Sequence, residues 1–319
     1  MTRAAIPDLH ELLSAETAQA VEPQIVAISD QARARYGDNV CAVLFYGSCL
    51  RRGYRDDDVV DLYLIVDGYR HPPIGWVSAA LNWLLPPNVI YLEATSSGAT
   101  VRAKCAIISL ADFDRGVSGR WFHSYMWARF AQPCRFAYVR DNAVTERILR
   151  ALQGAVRTMV RETSPLMVEP FNSRNVWIRA LQETYRAELR AEGPDRAVEL
   201  VDEEPDRYAA ITGSLTYTGE VEVVVEAPPT EARYRAGKAL SGQSVAQFRW
   251  FLRRILGKIL SGLRLIKAAF TFVDGAVYIL WKIKRHSGVA VELTDWQRRH
   301  PILASTTLFW RLYRKGAFK

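Results

Sequence analysis

The chain has 319 residues, of which 49% are hydrophobic and 24% charged, a balance that fits one large or two smaller globular domains and excludes a disordered polymer. Its 42 Lys and Arg against 34 Asp and Glu leave a net charge of +8, which favours nucleotide phosphates, nucleic acid or an anionic membrane surface without choosing among them. Cys41, Cys49, Cys105 and Cys134 form no CxxC pair and have no histidine at ligand spacing, so no zinc site is expected and the thiols read as reduced core residues.

In chain order, residues 1–8 lack the apolar core of a secretory signal, and no run reaches 18 apolar residues. A cytoplasmic-type chain without a membrane-spanning helix is expected. Residues 9–35 predict one or two helices with a break near Pro23. The apolar run 40–46 predicts a buried strand ending at Gly47-Ser48. A basic loop, 50–55, and then Asp56, Asp57 and Asp58 lead to a second apolar run, 59–66. Pro72 and Pro73 mark a break. Residues 76–85 predict a helix, and 89–92 and 106–110 predict short strands. Helical spacing returns over 121–130, 144–160 and 177–190. Residues 191–237 read as an irregular excursion, and the chain from 244 on is basic, aromatic and mostly helical.

The chemistry concentrates in the strand-loop-strand. Gly47 lets the backbone approach a triphosphate closely, and Ser48 adds a hydroxyl beside exposed backbone N–H groups. Asp61 on the next strand would place a carboxylate oxygen beside them, where a divalent ion bridging nucleotide phosphates can sit. The order of these features resembles the nucleotidyltransferase superfamily, in which many members carry Asp-x-Asp on that strand. Here Tyr63 takes the second position. Candidates for a second carboxylate are Asp57, Asp58, Asp67 and Glu93. Asp67 has the right parity but lies about 20 Å along the strand at roughly 3.3 Å per residue.

A more specific resemblance follows from several segments in order. They are Phe45-Tyr46-Gly47-Ser48, the strand from Val60 through Asp61 to Asp67, Lys104-Cys105-Ala106-Ile107-Ile108-Ser109, Trp121 through Arg129 to Pro133, and Lys267-Ala268-Ala269-Phe270-Thr271. Together they are similar to the mitochondrial-type CDP-diacylglycerol synthases, the mitochondrial translocator assembly and maintenance family. Ala128 and Gln132 depart from that pattern, where the family has glycine and lysine. The resemblance implies a Mg²⁺-dependent enzyme that joins CTP to phosphatidic acid at a membrane surface, in a bacterial cytoplasm or on the matrix face of the mitochondrial inner membrane. It implies Asp61 as metal ligand; of the nearby acids read from the residues themselves, Asp58 is the second metal-ligand candidate. Lys104 would be a cationic clamp, and Tyr46, Gly47, Ser48 and Arg129 would hold the nucleotide. Nucleic acid is not an expected partner on this reading. The residues alone leave open another acceptor, such as RNA, protein or a small molecule, and a non-catalytic lipid- or RNA-binding module.

The expected architecture is α+β: a nucleotidyltransferase-fold mixed sheet with flanking helices over 1–140, a mostly helical second domain over 141–243, and a basic helical segment over 244–319. Within that last segment, 247–267 carry Arg249, Arg253, Arg254, Lys258, Arg264 and Lys267 and no acid. At 100° per residue these bases occupy one half of a helix and most apolar residues the other, with Trp250, Leu260 and Leu265 out of place among the bases. Two readings stand open. The helix lies on an anionic membrane surface, its six bases worth at most about 6 kcal/mol, or it is a core helix with its apolar face inside and its bases outside.

Overall fold

The computed structural model describes residues 7–55, 58–70, 75–96, 98–189, 195–225, 227–228, 230–237 and 242–271. In chain order the elements are α1 (Leu9–Thr17), α2 (Pro23–Tyr36), β1 (Val40–Tyr46), α3 (Ser48–Arg52), β2 (Val59–Val66), α4 (Trp76–Leu84), β3 (Asn88–Ser96) and β4 (Ala99–Ser109). There follow α5 (Leu110–Val117), α6 (Trp127–Phe130), β5 (Cys134–Val139), α7 (Asn142–Thr163), α8 (Ser173–Arg186), α9 (Asp195–Asp202), α10 (Pro205–Ser214), β6 (Val221–Val225), β7 (Arg233–Ala236) and α11 (Gln243–Thr271). The fold class is α+β, as the sequence predicts.

The chain forms two compact units whose boundaries differ from the expected ones. A sheet unit comprises Val21–Ser109 with Arg264–Lys319, and a helical unit comprises Met1–Ala20 with Leu110–Leu263. The stretch 110–140, expected in the catalytic domain, therefore goes with the helices. So does α1, because Arg207 of α10 pairs with Glu16 of α1 and also donates to the Ala131 carbonyl.

In the sheet unit the strands lie in the order β3-β4-β2-β1. β1 and β2 are antiparallel, β2 and β4 parallel, and β3 and β4 antiparallel. β1 and the second half of β2 are buried continuously, as their unbroken apolar runs require for strands covered on both faces. Tyr36 of α2 lies near Cys105 of β4, whose thiol burial pushes up. α4 is pinned by Asn82, whose amide donates to the Ile107 carbonyl at 3.0 Å, and by Asn88, which donates to Ser78.

The helical unit is organised around α7, which packs against α1, α5, α6 and α8. Asp141 caps α7 by accepting the Val144 N–H at 2.9 Å, and that hydrogen bond holds its carboxyl below the usual range. Trp177 of α8 donates to Thr212 of α10 at 3.0 Å.

Several local expectations are corrected. The basic loop after Ser48 begins as a short helix, α3. Residues 121–126 are turns and bends, and only Trp127–Phe130 is helical. β4 starts seven residues before 106. The irregular excursion of 191–237 contains α9, α10 and a β6–β7 hairpin. The expected aromatic-basic segment from 272 on lies outside the described residues.

The largest correction concerns α11. The core-helix reading, with the apolar face inside and the bases outside, does not hold: Arg253 and Lys267 are buried, Arg249, Arg254 and Arg264 half-buried and only Lys258 exposed, while most of the large apolar residues face outward. Trp250 and Arg253 are buried, whereas Phe248, Phe251, Ile255 and Ile259 are exposed. The reason is a set of partners distant in sequence. Glu162 accepts Arg249 at 2.7 Å and Arg253 at 2.8 Å, and its carbonyl accepts the Trp250 ring N–H at 2.9 Å. Arg253 also donates to the Phe122 carbonyl. Glu183 accepts Arg254 at 2.6 Å. In the sheet unit, Lys267 donates to the carbonyls of Leu85 and Pro87, and Arg264 to that of Pro86.

Candidate functional site

The strand register places four expected or chemically capable side chains in one row. Tyr46 pairs with Asp61, Asp61 with Lys104, and Lys104 with Tyr91. Directly opposed residues project to the same face of a sheet, so this row crosses β1, β2, β4 and β3 on one side. Cys105, near α2, alternates to the other side.

Gly47 ends β1 with φ +89° and ψ −159°, a region open essentially to glycine alone. The position of a Cβ there would fall 2.7 Å from Asp61 Oδ2 and 3.2 Å from Asp61 Cβ. The Asp61 carboxylate thus faces the Gly-Ser bend, with no room for a side chain between them. Ser48 is half-buried at the first position of α3. Beside it the Cys49 thiol is pushed up to about 11, first by burial and then by Asp58 and Asp61. The thiol stays protonated, and both carboxylates lie close enough to act on it.

The same face carries a second polar row. Glu93 is the register partner of Arg102, and Arg102 Nε lies 3.3 Å from Glu93 Oε1. The Tyr91 hydroxyl donates to the same Oε1 at 2.8 Å, and burial followed by Glu93 pushes its pKa up. Sequence reasoning named Glu93 only as a spare carboxylate and missed Tyr91 and Arg102. The signal was present in the alternation of Val101, Arg102, Ala103, Lys104 and Cys105, which is the pattern of a strand with one polar face.

Other expected residues stand elsewhere. Asp58 is buried, and its oxygens accept Arg52 at 2.8 Å and the Arg55 N–H at 3.1 Å, so the structure uses it to close the loop before β2. Asp67 sits at the far end of β2, where it accepts the Cys41 thiol. Asp56 and Asp57 lie outside the described residues. Arg129 belongs to the helical unit, with its guanidinium 4.9 Å from the Tyr125 ring centre. Tyr63, standing where a second acid was sought, is fully buried and packs on Tyr46 at 5.3 Å between ring centres.

Among the described residues no group of three His, Cys, Asp or Glu could hold a metal ion. The donor set at the bend, one outward carboxylate and one hydroxyl, fits Mg²⁺ only as an ion that arrives with phosphate oxygens. That mode is common for Mg²⁺, which keeps several waters and takes one or two carboxylates plus substrate phosphates.

No family model matches the chain, and no curated protein matches it. Among solved structures, a nucleotidyltransferase-like protein from Exiguobacterium sibiricum is similar at 12% identity over 92% of each chain, with a TM-score of 0.27. No described helix is long and apolar enough to cross a membrane.

Proposed function

We propose that this chain is a nucleotidyltransferase that joins CTP to phosphatidic acid, giving CDP-diacylglycerol and pyrophosphate. The observation that carries the reading is the Asp61 carboxylate set against Gly47, with Lys104 beside it in register. The bend is shaped for a phosphate chain: Gly47 allows close approach, and Ser48 supplies a hydroxyl donor. Asp61 and Ser48 would hold Mg²⁺, which when bound supplies charge neutralisation between the phosphates. Lys104 would neutralise charge on the nucleotide or acceptor phosphate. An ionised phosphate oxygen of phosphatidic acid forms the new bond to the α-phosphorus, and the bond to the β-phosphate oxygen breaks as pyrophosphate leaves. The nucleophile brings its own charge, so no side chain need act as a base; the protein positions and neutralises.

The test is pyrophosphate release from purified full-length chain, phosphatidic acid vesicles, Mg²⁺ and each nucleoside triphosphate in turn. Turnover with CTP and phosphatidic acid, lost in Asp61→Asn, is expected. Turnover with ATP that ignores phosphatidic acid would instead assign another acceptor. One observation favours a second reading: the register partner of Asp61 is a lysine, not a second acid. On that reading the chain is a nucleotide- or lipid-binding module without turnover, and calorimetry would detect nucleotide binding where the pyrophosphate assay stays silent.

A further inference from the structure

The outward face of α4, in the sheet unit, carries no polar side chain. Trp76 is 84% exposed, Trp83 72%, Leu84 71% and Val77 49%, and Ala80 between them is exposed as well. At 100° per residue these five occupy an arc of about 120°. The inward side carries Ala79 and Asn82. Asn82 donates to the Ile107 carbonyl at 3.0 Å, and Asn88 ties the start of β3 back to Ser78 of the helix, so the face stands on a braced element. At about 250 Å² for each fully exposed indole, the two tryptophans alone present about 400 Å². Val77, Ala80 and Leu84 bring the face to roughly 600 Å², the upper end of what a monomer leaves in water.

The order of residues on this face is self-complementary. Ala80 is its centre, with Trp76 and Val77 on one side and Trp83 and Leu84 at the mirrored positions on the other. Two such helices laid antiparallel about a two-fold axis at Ala80 bring each residue against the one equally far on the other side of the centre. Trp76 of one copy then meets Leu84 of the other, Val77 meets Trp83, and Ala80 meets Ala80. Each ring packs on an aliphatic side chain, and the small central pair lets the helices approach closely. An isologous interface requires this property of a single surface patch. Charge does not oppose the pairing, because no charged residue occurs between Gly75 and Leu92 in a chain of net charge +8. Arg264 and Lys267, which touch the end of the helix, are turned onto the carbonyls of Leu85, Pro86 and Pro87. The antiparallel arrangement sets these cations of the two copies at opposite ends of the pair.

We propose that α4 is the interface of a symmetric dimer of this chain, formed by antiparallel pairing of Trp76, Val77, Ala80, Trp83 and Leu84 with the same residues of a second copy. Two faces of roughly 600 Å² bury about 1,200 Å² together, the lower bound of a specific protein interface. That area fits a reversible dimer, with the two tryptophans as the side chains that carry most of the affinity. A lipid surface fits the face less well, because helices that lie on membranes carry Lys and Arg beside their apolar face, and α4 has neither. The pairing goes beyond the nucleotidyltransferase reading and does not depend on it, because association is read without nucleotide or acceptor.

The experiment is sedimentation velocity of the full chain between about 1 and 100 μM, the range in which an interface of minimum size associates. Wild type is expected to pass from monomer to dimer across it. Trp83→Ala should weaken the dimer by at least about tenfold, since the ring is lost twice per pair. Ala80→Lys and Ala80→Glu decide the geometry. Ala80 is exposed, so both variants should melt close to wild type, and each alone should be monomeric because like charges meet at the two-fold axis. An equal mixture of the two should recover the dimer, because Lys then meets Glu. Four outcomes overturn the proposal. They are a wild-type chain that stays monomeric throughout, a dimer that Ala80→Lys leaves intact, a mixture of the two variants that remains monomeric, or a monomer whose co-sedimentation with phosphatidylcholine vesicles is lost in Trp83→Ala, which would assign the face to lipid.

Discussion

Replacing Gly47 by alanine separates two effects that the structure places at one residue. The backbone at Gly47, φ +89° and ψ −159°, costs a non-glycine residue about 1–3 kcal/mol. The new methyl would also stand 2.7 Å from Asp61 Oδ2. Ordinary contact requires at least about 3.5 Å, so the carboxylate must retreat by nearly 1 Å. A displacement of that size at a reacting centre can cost about 100-fold in turnover. Gly53→Ala provides the control. Gly53 also has a positive φ, +79°, but nothing lies within 4 Å of its Cβ position. Both variants should lose stability in a thermal melt from the shared backbone strain, Gly47→Ala somewhat more from its added contact with Asp61, while pyrophosphate release should fall about 100-fold further in Gly47→Ala. Equal turnover in the two variants would refute the claim that the Asp61 position governs the chemistry.

Asp61→Asn should leave the melting temperature nearly unchanged and abolish turnover. It should also lower the Cys49 pKa from about 11, which a thiolate absorbance titration against wild type reads without any substrate; an unchanged titration would place Asp61 away from that thiol. Glu162→Gln leaves Arg253 buried without its anion and should cost about 3–5 kcal/mol in chemical denaturation. Burial pushes the Glu162 carboxyl up, but Arg253 and Arg249 outweigh it and hold it below the usual range. Its contribution is therefore present above the ordinary carboxylate pKa and lost as pH falls through the depressed one, so the gap between wild type and variant should close in acid. Lys267 has a dependence of the same sign in a higher pH window. Burial and then Arg264 lower it to about 7 from 10.5, so between these values the unfolded chain holds a proton the folded chain lacks, and stability rises with pH. Wild type should gain on Lys267→Met from pH 7 to 10, and a flat difference in melting temperature across that range would contradict the burial of this ammonium.

The sheet unit was legible because its determinants are local. Unbroken apolar runs at 40–46 and 59–66 mark strands covered on both faces, and a Gly-Ser between them marks the bend. Period-two alternation then brought Asp61 to the face that Gly47 leaves open. The rest of the site was harder to see because sheet neighbours need not be sequence neighbours. Lys104 is 43 residues from Asp61 and opposes it only through the parallel β2–β4 pairing. Tyr91 and Glu93 reach the row only through the β3–β4 hairpin. Asp58 shows the converse: proximity to Asp61 in sequence made it a metal candidate, while the loop engages its carboxylate with Arg52 and Arg55.

The faces of α11 mark where periodicity stops being informative. A 3.6-residue period divides a helix into two sides but does not say which side the protein covers. The default, apolar inside, assumes that bases inside would lack partners. Here Glu162 and Glu183 supply carboxylates from α7 and α8, and the carbonyls at 85–87 accept Lys267 and Arg264. These partners lie far from α11 in sequence, and no window along the helix contains them. The one local clue was Trp250, which sits among the bases and so breaks the pattern. A large aromatic with a ring N–H is a poor choice for a solvated basic face and a good one for a buried seam with a carbonyl to receive it. Its ring is fully buried and donates to Glu162. The residue that violates an amphipathic pattern therefore identifies the inner face, and the side that obeys it, from Phe248 to Leu263, is the exposed one.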